Sequence, residues 1–497
     1  MSRRPFGLPI TTAILALAGW GLALVGWGIA VALWLAPDPE PPPPTIVRVP
    51  ADPLPDPPPY PPDPPPPLPP PTPAFEALLA ASPAYASASI GACVLDVDGA
   101  VLYAPPGART ALTPASSLKT VTTATALEVL GPDYVFRTTI VAAAGPDEEG
   151  ALAGDLFLVG GGDPTLSPAD ISALASRLHQ SGLRHVVGAI IADAGVFPEA
   201  AANDHWNWGD VGNAYGAGAF GLNLGHNRFL AHFDPGEAVG DPAAFCGSTP
   251  ELPGIAWTNL VNTGAAGSGD GVVIHGGPYS RELTLRGTVP LGEPGFAVGG
   301  AIPDPPHLAA ILLAEALRDC GITIGGEASV ERGSAPADAV PLADHASPPI
   351  SAILPHLHQT SDNLEAQCLY LAVGNKKAAD PGTVVAAHWR LRGVGLHGHR
   401  LLDGSGLARA NKIRPLDLAR INYAARHGTQ GDTFYESLVG NGHLRTKGGA
   451  MSGVRAQVGF ATLPDGRELT FALIANALPP GTGIWELRDA LLESVIE

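Results

Sequence analysis

The spacing of apolar and polar positions divides the chain into four stretches. Residues 10 to 35 form an uncharged run of 26 positions, with Arg3 and Arg4 before it and Pro37 behind it. About 20 apolar residues cross a bilayer as a helix, whereas a cleaved signal peptide has an apolar region of roughly 7–15. The run therefore predicts an uncleaved transmembrane anchor over residues 1–36, with the arginines holding the N-terminus inside. Trp20, Trp27 and Trp34 recur every seven residues in it, either as a helix-packing face or as interfacial anchors. Residues 37–73 have no period at all. Proline lacks the donor that a helix or ladder needs, and as a polyproline II rod this stretch would reach on the order of 100 Å. It reads as a linker between anchor and domain.

From Ala74 onward the periods alternate between those of helix and strand. "PAFEALLAAS" is a short helix, and "ASIGACVLDVDGAVLYA" is two strands around a turn at Asp98-Gly99. Pro114 and Ser116 open a helix that Gly131 closes. Near the other end, "HLRTKGGAMSGVRAQVGFATLPDGRELTFALIAN" reads as successive strands turning at Pro464-Asp465-Gly466. "GIWELRDALLESVI" is a closing amphipathic helix. Residues 140–339 differ, being glycine-rich with short β-like runs and two helical patterns. They predict an inserted region, in one or two modules, splitting an outer α+β domain into 74–139 and 340–497.

Composition changes this picture in three ways. A net charge of −19 opposes a nucleic-acid partner, since phosphates would be repelled. The four cysteines (Cys93, Cys246, Cys320 and Cys368) lie far apart with no C-x-x-C pair, so zinc is not indicated and no disulfide pairing follows. Lysine is scarce: Lys119, Lys376, Lys377, Lys412 and Lys447 are the five present.

One of the five, Lys119, follows Ser116 by three residues at a helix start, where Ser116 and Lys119 share a face. Arginine cannot give up its proton in a protein, whereas a desolvated lysine can. Ser116-Ser117-Leu118-Lys119 is the only S-x-x-K, Ser361-Asp362-Asn363 the only S-x-N, and Lys447-Gly448-Gly449 falls on a predicted strand. Taken singly, the first is an exposed pair, the second a helix cap and the third a loop. Their order and setting together indicate acyl transfer through a serine nucleophile. The H-x-H pairs His356/His358 and His397/His399 lack a carboxylate at metal-ligand spacing, so no metal site and no cofactor is expected. Trp206 and Trp208 suit either a packed loop or stacking on a sugar.

With "PASSLK", "SDN", "LAGDLFLVGGGDPTL", "WNWGDVGNAYGA", "GGAIPDPPHLAAILLAEALRDCGI" and "DGSGLARAN", the chain from about residue 74 to 497 resembles the low-molecular-mass penicillin-binding proteins of the S13 D-alanyl-D-alanine carboxypeptidase/endopeptidase family. The resemblance implies a β-lactamase/transpeptidase-like domain, an antiparallel sheet flanked by helices, carrying a large β-rich insertion. It also implies a metal-free hydrolase of peptidoglycan stem peptides that is acylated by β-lactams, held at the bacterial inner membrane with its catalytic part periplasmic. Carried over by position, Ser116 is the nucleophile and Lys119 its base. Ser361 passes a proton to the leaving group, Asn363 holds a substrate amide, and Lys447 supplies positive charge. Gly448, Gly449 and Ala450 line the substrate, with the N–H groups of Ser116 and Ala450 as the oxyanion hole. The third motif departs from the family's usual K-T-G-T: it reads Lys447-Gly448-Gly449-Ala450 and lacks both hydroxyls. Two rival readings therefore stand beside the enzyme, a wall-binding scaffold of this fold with little turnover and a serine β-lactamase.

Overall fold

A computed structural model describes residues 73–198, 201–325 and 330–495. The anchor and nearly all of the proline-rich linker lie outside the described residues. Among the described residues no helix is long and apolar enough to cross a membrane.

The outer domain is built on a six-stranded antiparallel sheet. Its strands are β1 (Ser89–Leu95), β2 (Val101–Tyr103), β3 (Val439–Asn441), β4 (Leu444–Met451), β5 (Val454–Thr462) and β6 (Glu468–Asn476), in the spatial order β3-β4-β5-β6-β1-β2. The first strand of the domain thus pairs with the last, Cys93 opposite Ala472 and Val94 opposite Phe471. Successive side chains of a strand point to opposite faces, and both faces of this sheet are apolar. Cys93, Leu95, Ala456, Val458, Ala472 and Ile474 join one core cluster. Ala92, Val94, Phe471, Leu473 and Ala475 join another. Helix α1 (Pro73–Ala81) and the closing helix α7 (Trp485–Glu493) cover the second face through Phe75, Leu487 and Leu491.

The first face carries a layer of helices: α2 (Lys119–Val129), α3 (Ile350–Thr360), α4 (Asn363–Lys377), α5 (Pro381–Arg390) and α6 (Pro415–Arg426). Helix α2 lies at their centre, and every residue from Lys119 to Leu127 is buried. Over that stretch it therefore has no solvent-exposed face. Its threonines satisfy their hydroxyls locally or on neighbours: Thr120 donates to the Ser117 carbonyl, Thr125 to Val121 and Thr122 to Gly404. The expected helix start at Pro114 is corrected by the structure. Ala115–Leu118 forms a 3-10 turn, and the α-helix begins only at Lys119. Ala115 there has φ +48°, and the Ser117 hydroxyl donates to the Pro114 carbonyl at 2.7 Å. Ser116 thus sits on a tight turn ahead of the helix.

The inserted region has its own core, running from Ile140 to residues around Leu342. Helices Pro168–Gln180 and Pro305–Asp319 pack there against short sheets. At its two ends, strands Arg137–Ala142 and Val340–Ala346 are antiparallel neighbours in a five-stranded sheet. The interior strand pairs of that sheet include parallel ones, Leu156–Val159 with Ile190–Asp193. All four cysteines are free thiols, with Cys93 and Cys368 buried.

Trp389 on α5 is wholly buried, and its indole N–H donates to Thr125 of α2 at 2.8 Å. Removing a buried tryptophan leaves a large cavity. Trp389→Ala is expected to lower unfolding free energy by about 3–5 kcal/mol, read as a shifted midpoint in chemical denaturation. An unchanged midpoint would contradict this packing.

Candidate active site

Three elements converge where the first face of the sheet meets the N-terminal end of α2. Strand β4 runs past the turn that carries Ser116. A side chain on Gly449 would place its Cβ 2.8 Å from the Ser116 and Ser117 amides and 2.7 Å from the Pro114 carbonyl. Only glycine lets the strand approach so closely. Lys447, two residues earlier on the same face of β4, points into the same space. The loop between α3 and α4 is the third element. There Ser361 adopts a left-handed conformation, φ +59° and ψ +39°, as the residue that ends α3. The cap of α4 is Asp362, whose carboxylate accepts from the Glu365 amide at 2.9 Å. This corrects the simple capping reading of Ser361 and leaves its hydroxyl available to the site.

The amine of Lys119 is the hub. It donates to Ser116 Oγ at 2.9 Å, to Asn363 Oδ1 at 2.6 Å and to the Ser405 carbonyl at 2.8 Å. Its side chain is completely buried. Burial, reinforced by the Lys447 ammonium, pushes its pKa far below the ordinary lysine value, while the more distant carboxylates of Asp403 and Asp362 oppose the shift. Lys447 donates to Ser361 Oγ and to its neighbour's carbonyl at Gly448, both at 2.9 Å. Burial lowers its pKa to about 8. The five residues thus form two hydrogen-bonded groups along one groove, Ser116 and Asn363 on Lys119, and Ser361 on Lys447. Asn363 is committed on both sides: its oxygen accepts from Lys119 and its amide donates to the Tyr215 carbonyl at 2.7 Å.

The loop following α5 supplies what sequence spacing alone did not assign. Asp403, buried, accepts from the Gly406 and Ala408 amides, from Asn411 Nδ2 and from the Trp206 indole, at 2.7–2.8 Å. Those bonds fold the loop into a rigid bracket that presents the Ser405 carbonyl to Lys119. Trp206 is therefore a packed anchor, whereas Trp208 is exposed. Neither H-x-H pair faces this centre through both members. His358 is buried between Thr123 and Ser437, and burial lowers its pKa to about 3.

Ser116 opens onto a groove on both sides. One arm is lined by Lys447, Gly448, Arg455 and Trp485, the other by Asp210, Tyr215, Arg409 and Met451. Strand β3 pairs with β4 only through Leu444 to Thr446. From Lys447 onward that edge of β4 has no strand beside it. Gly448 and Ala450 are exposed there, and a Cβ added at Gly448 would meet nothing closer than 4.0 Å.

Comparison with known proteins agrees with this geometry. Residues 73–489 match the D-Ala-D-Ala carboxypeptidase 3 (S13) family. A protein of Actinomadura sp. (strain R39) named D-alanyl-D-alanine carboxypeptidase is 33% identical over 455 residues, covering 84% of this chain and 82% of its own. The Haemophilus influenzae D-alanyl-D-alanine carboxypeptidase DacB is 25% identical, covering 79% of this chain and 86% of its own. The crystal structure of penicillin binding protein 4 (dacB) from Haemophilus influenzae superposes with a TM-score of 0.73 at 21% identity, over 84% of this chain and 98% of that one. A second structure of that protein, complexed with a β-lactam, gives 0.68. The Ser116 turn, the S-x-N loop and the lysine strand thus stand in a chain that belongs to the D-Ala-D-Ala carboxypeptidase 3 (S13) family.

Proposed function

We propose that the chain is a penicillin-binding serine peptidase that cleaves D-Ala-D-Ala ends or cross-links of peptidoglycan stem peptides through an acyl-enzyme on Ser116. The single observation that carries this is the buried, desolvated Lys119 amine hydrogen-bonded to Ser116 Oγ. A neutral amine there accepts the hydroxyl proton as Oγ forms its bond to the substrate carbonyl carbon. The N–H groups of Ser116 and Ala450 are placed in the reading as the oxyanion hole, since both are backbone groups and survive the altered third motif. The departing amine takes its proton from Ser361 Oγ, which the Lys447 ammonium in turn supplies. Solvent in the groove then carries the proton held by Lys119 back to Lys447, restoring the neutral base; water attacks the ester as Lys119 takes its proton, and Lys119 passes that proton to Ser116 Oγ as the peptide acid leaves.

Substrate enters as an extended segment beside the open edge of β4, where alternate backbone groups give affinity and side chains fall into the two groove arms. Asp210 and Arg409 offer both charges in one arm. In the other, the terminal carboxylate of a D-Ala-D-Ala peptide would lie near Lys447 and Gly448. No hydroxyl meets it on β4, because glycine and alanine stand at 448 and 450. Hydrogen bonds to a charged group contribute about 1.5–3 kcal/mol each. Their lack disfavours a free terminal carboxylate more than an internal cross-link. In the same reading, residues 10 to 35 anchor the chain in the inner membrane, and the proline-rich linker carries the catalytic part into the periplasm.

Labelled penicillin is expected to acylate the protein at Ser116, located by peptide mass spectrometry. The adduct should disappear in Ser116→Ala and form at least 100-fold more slowly in Lys119→Ala, roughly the low end of general-base contributions. A folded wild-type protein that takes no label, or takes it elsewhere, would remove the basis for the reading. The double variant Gly448→Thr with Ala450→Thr should raise kcat/KM on a D-Ala-D-Ala peptide by about tenfold or more, as one such bond would. No gain in a folded, acylatable double variant would show that the missing hydroxyls do not limit carboxypeptidase action.

A further inference from the structure

Directly behind the S-x-N loop lies a second group of polar side chains that the reaction does not use. His226 comes from the turn Gly225–Asn227 in the inserted region, His356 from α3, and Asp362 and Glu365 from the start of α4. His226 Nδ1 lies 3.5 Å from Asp362 Oδ2 and 3.9 Å from Glu365 Oε1. One ligand atom from each of these three residues falls within 4.8 Å of the others. The two His226 separations exceed a normal hydrogen bond. They approach the ~3.3–3.5 Å that separates two ligands held tetrahedrally at roughly 2.0–2.2 Å from one ion.

Two buried atoms of this group have no hydrogen-bond partner: His226 Nδ1, which faces both carboxylates, and Glu365 Oε2. Glu365 is only 1% exposed, so its unpartnered oxygen is a buried polar atom with nothing to satisfy it. The surrounding contacts hold the group in one orientation. His356 Nδ1 lies 2.8 Å from Glu365 Oε1. Asp362 accepts from Arg228 at 2.8 Å through Oδ2 and from the Glu365 amide through Oδ1. Such outer contacts fix ligating carboxylates in metal sites. The His226 side chain is about a third exposed (30%) and that of His356 half exposed, so the group lies just beneath the surface with its unpartnered atoms buried.

We propose that His226, Asp362 and Glu365 bind a divalent zinc-class cation, with water completing the coordination and His356 positioning the Glu365 carboxylate. An imidazole with two carboxylates suits a borderline ion such as zinc better than magnesium or calcium, which take oxygen ligands. The charge accounting is consistent: two carboxylates face the ion, and the Arg228 guanidinium stays in the outer layer on Asp362. Bound there, the ion joins the inserted region, through His226, to the residue between Ser361 and Asn363. It is a structural cross-link of the second motif, separate from the acyl-transfer chemistry assigned to Ser116.

The test is zinc titration of the full-length chain, purified in mild detergent and stripped with chelator, by calorimetry together with elemental analysis. Wild type is expected to bind one zinc per chain at micromolar affinity or tighter. His226→Ala and Glu365→Gln should each weaken binding at least 30-fold, and His356→Ala less. Substitution of an outer-layer partner costs about 10–100-fold in comparable sites, so a true ligand should reach that range at least. Absence of zinc binding by wild type, or undiminished binding by both ligand variants, would overturn the proposal. Should those variants misfold, anomalous scattering from zinc-soaked wild-type crystals decides it: a peak among His226, Asp362 and Glu365 supports the site, and density only elsewhere refutes it. Penicillin labelling of Ser116 in the same samples reports the acyl-transfer reading independently, because the ligand variants leave Ser116 and Lys119 in place.

Discussion

Withdrawing the Lys119 amine from water is the constraint around which the rest of the outer domain is arranged. An ammonium buried without compensation is costly, and the protein responds by lowering its pKa. A neutral amine there has two N–H donors and one lone pair: the Asn363 oxygen and the Ser405 carbonyl are its acceptors, and in the proposed reading the lone pair receives the Ser116 hydroxyl proton. Ser116, Asn363 and the Ser405 carbonyl reach it from three separate parts of the chain. Each part is then held by its own device: the 3-10 turn before α2, the left-handed Ser361 ahead of the Asp362 cap, and the Asp403 bracket. The burial of α2 from Lys119 to Leu127 follows from the same demand, since a desolvated lysine requires apolar and satisfied neighbours all round.

Lys447 shows how the second ammonium differs from the first. It is buried and its pKa falls only to about 8, with burial as the cause. At neutral pH it remains largely cationic, whereas the stronger downward shift at Lys119 favours its neutral form, which suits the two lysines to different roles. Lys447 also reinforces the division, because a cation at 447 disfavours a second one at 119. Gly449 makes the arrangement possible by letting β4 lie against the nucleophile turn without a side chain between them. The loss of hydroxyls at 448 and 450 leaves that arrangement intact and affects only what the open edge of β4 can offer to substrate.

Much of this was legible in the sequence, for reasons that can be located. Ser116 with Lys119, the S-x-N triplet and the lysine strand are short local patterns, and the alternation of β5 and β6 is strong. The terminal helices and the turn at residues 464–466 were equally local. The start of α2 was not, because a 3-10 turn and a first α-turn have the same composition, and contacts with β4 and the 403–411 loop decide between them. The role of Asp403 was hidden for a similar reason: its partners Trp206 and Asn411 are 197 and 8 residues away. The parallel pairs inside the inserted region depend on crossovers that no short window records. The cluster of His226, His356, Asp362 and Glu365 was invisible as a unit, since His226 is 136 positions from Asp362 along the chain.

With only five lysines in the chain, each ammonium can be followed separately by NMR of protein labelled at lysine Cε and Nζ. The account predicts one resonance, lost in Lys119→Ala, that is already in its neutral form at pH 7. A second, lost in Lys447→Ala, should titrate near pH 8. If the Lys119 resonance is instead that of an ammonium at pH 7, the amine is charged at neutral pH and cannot take the Ser116 proton, and the central claim fails.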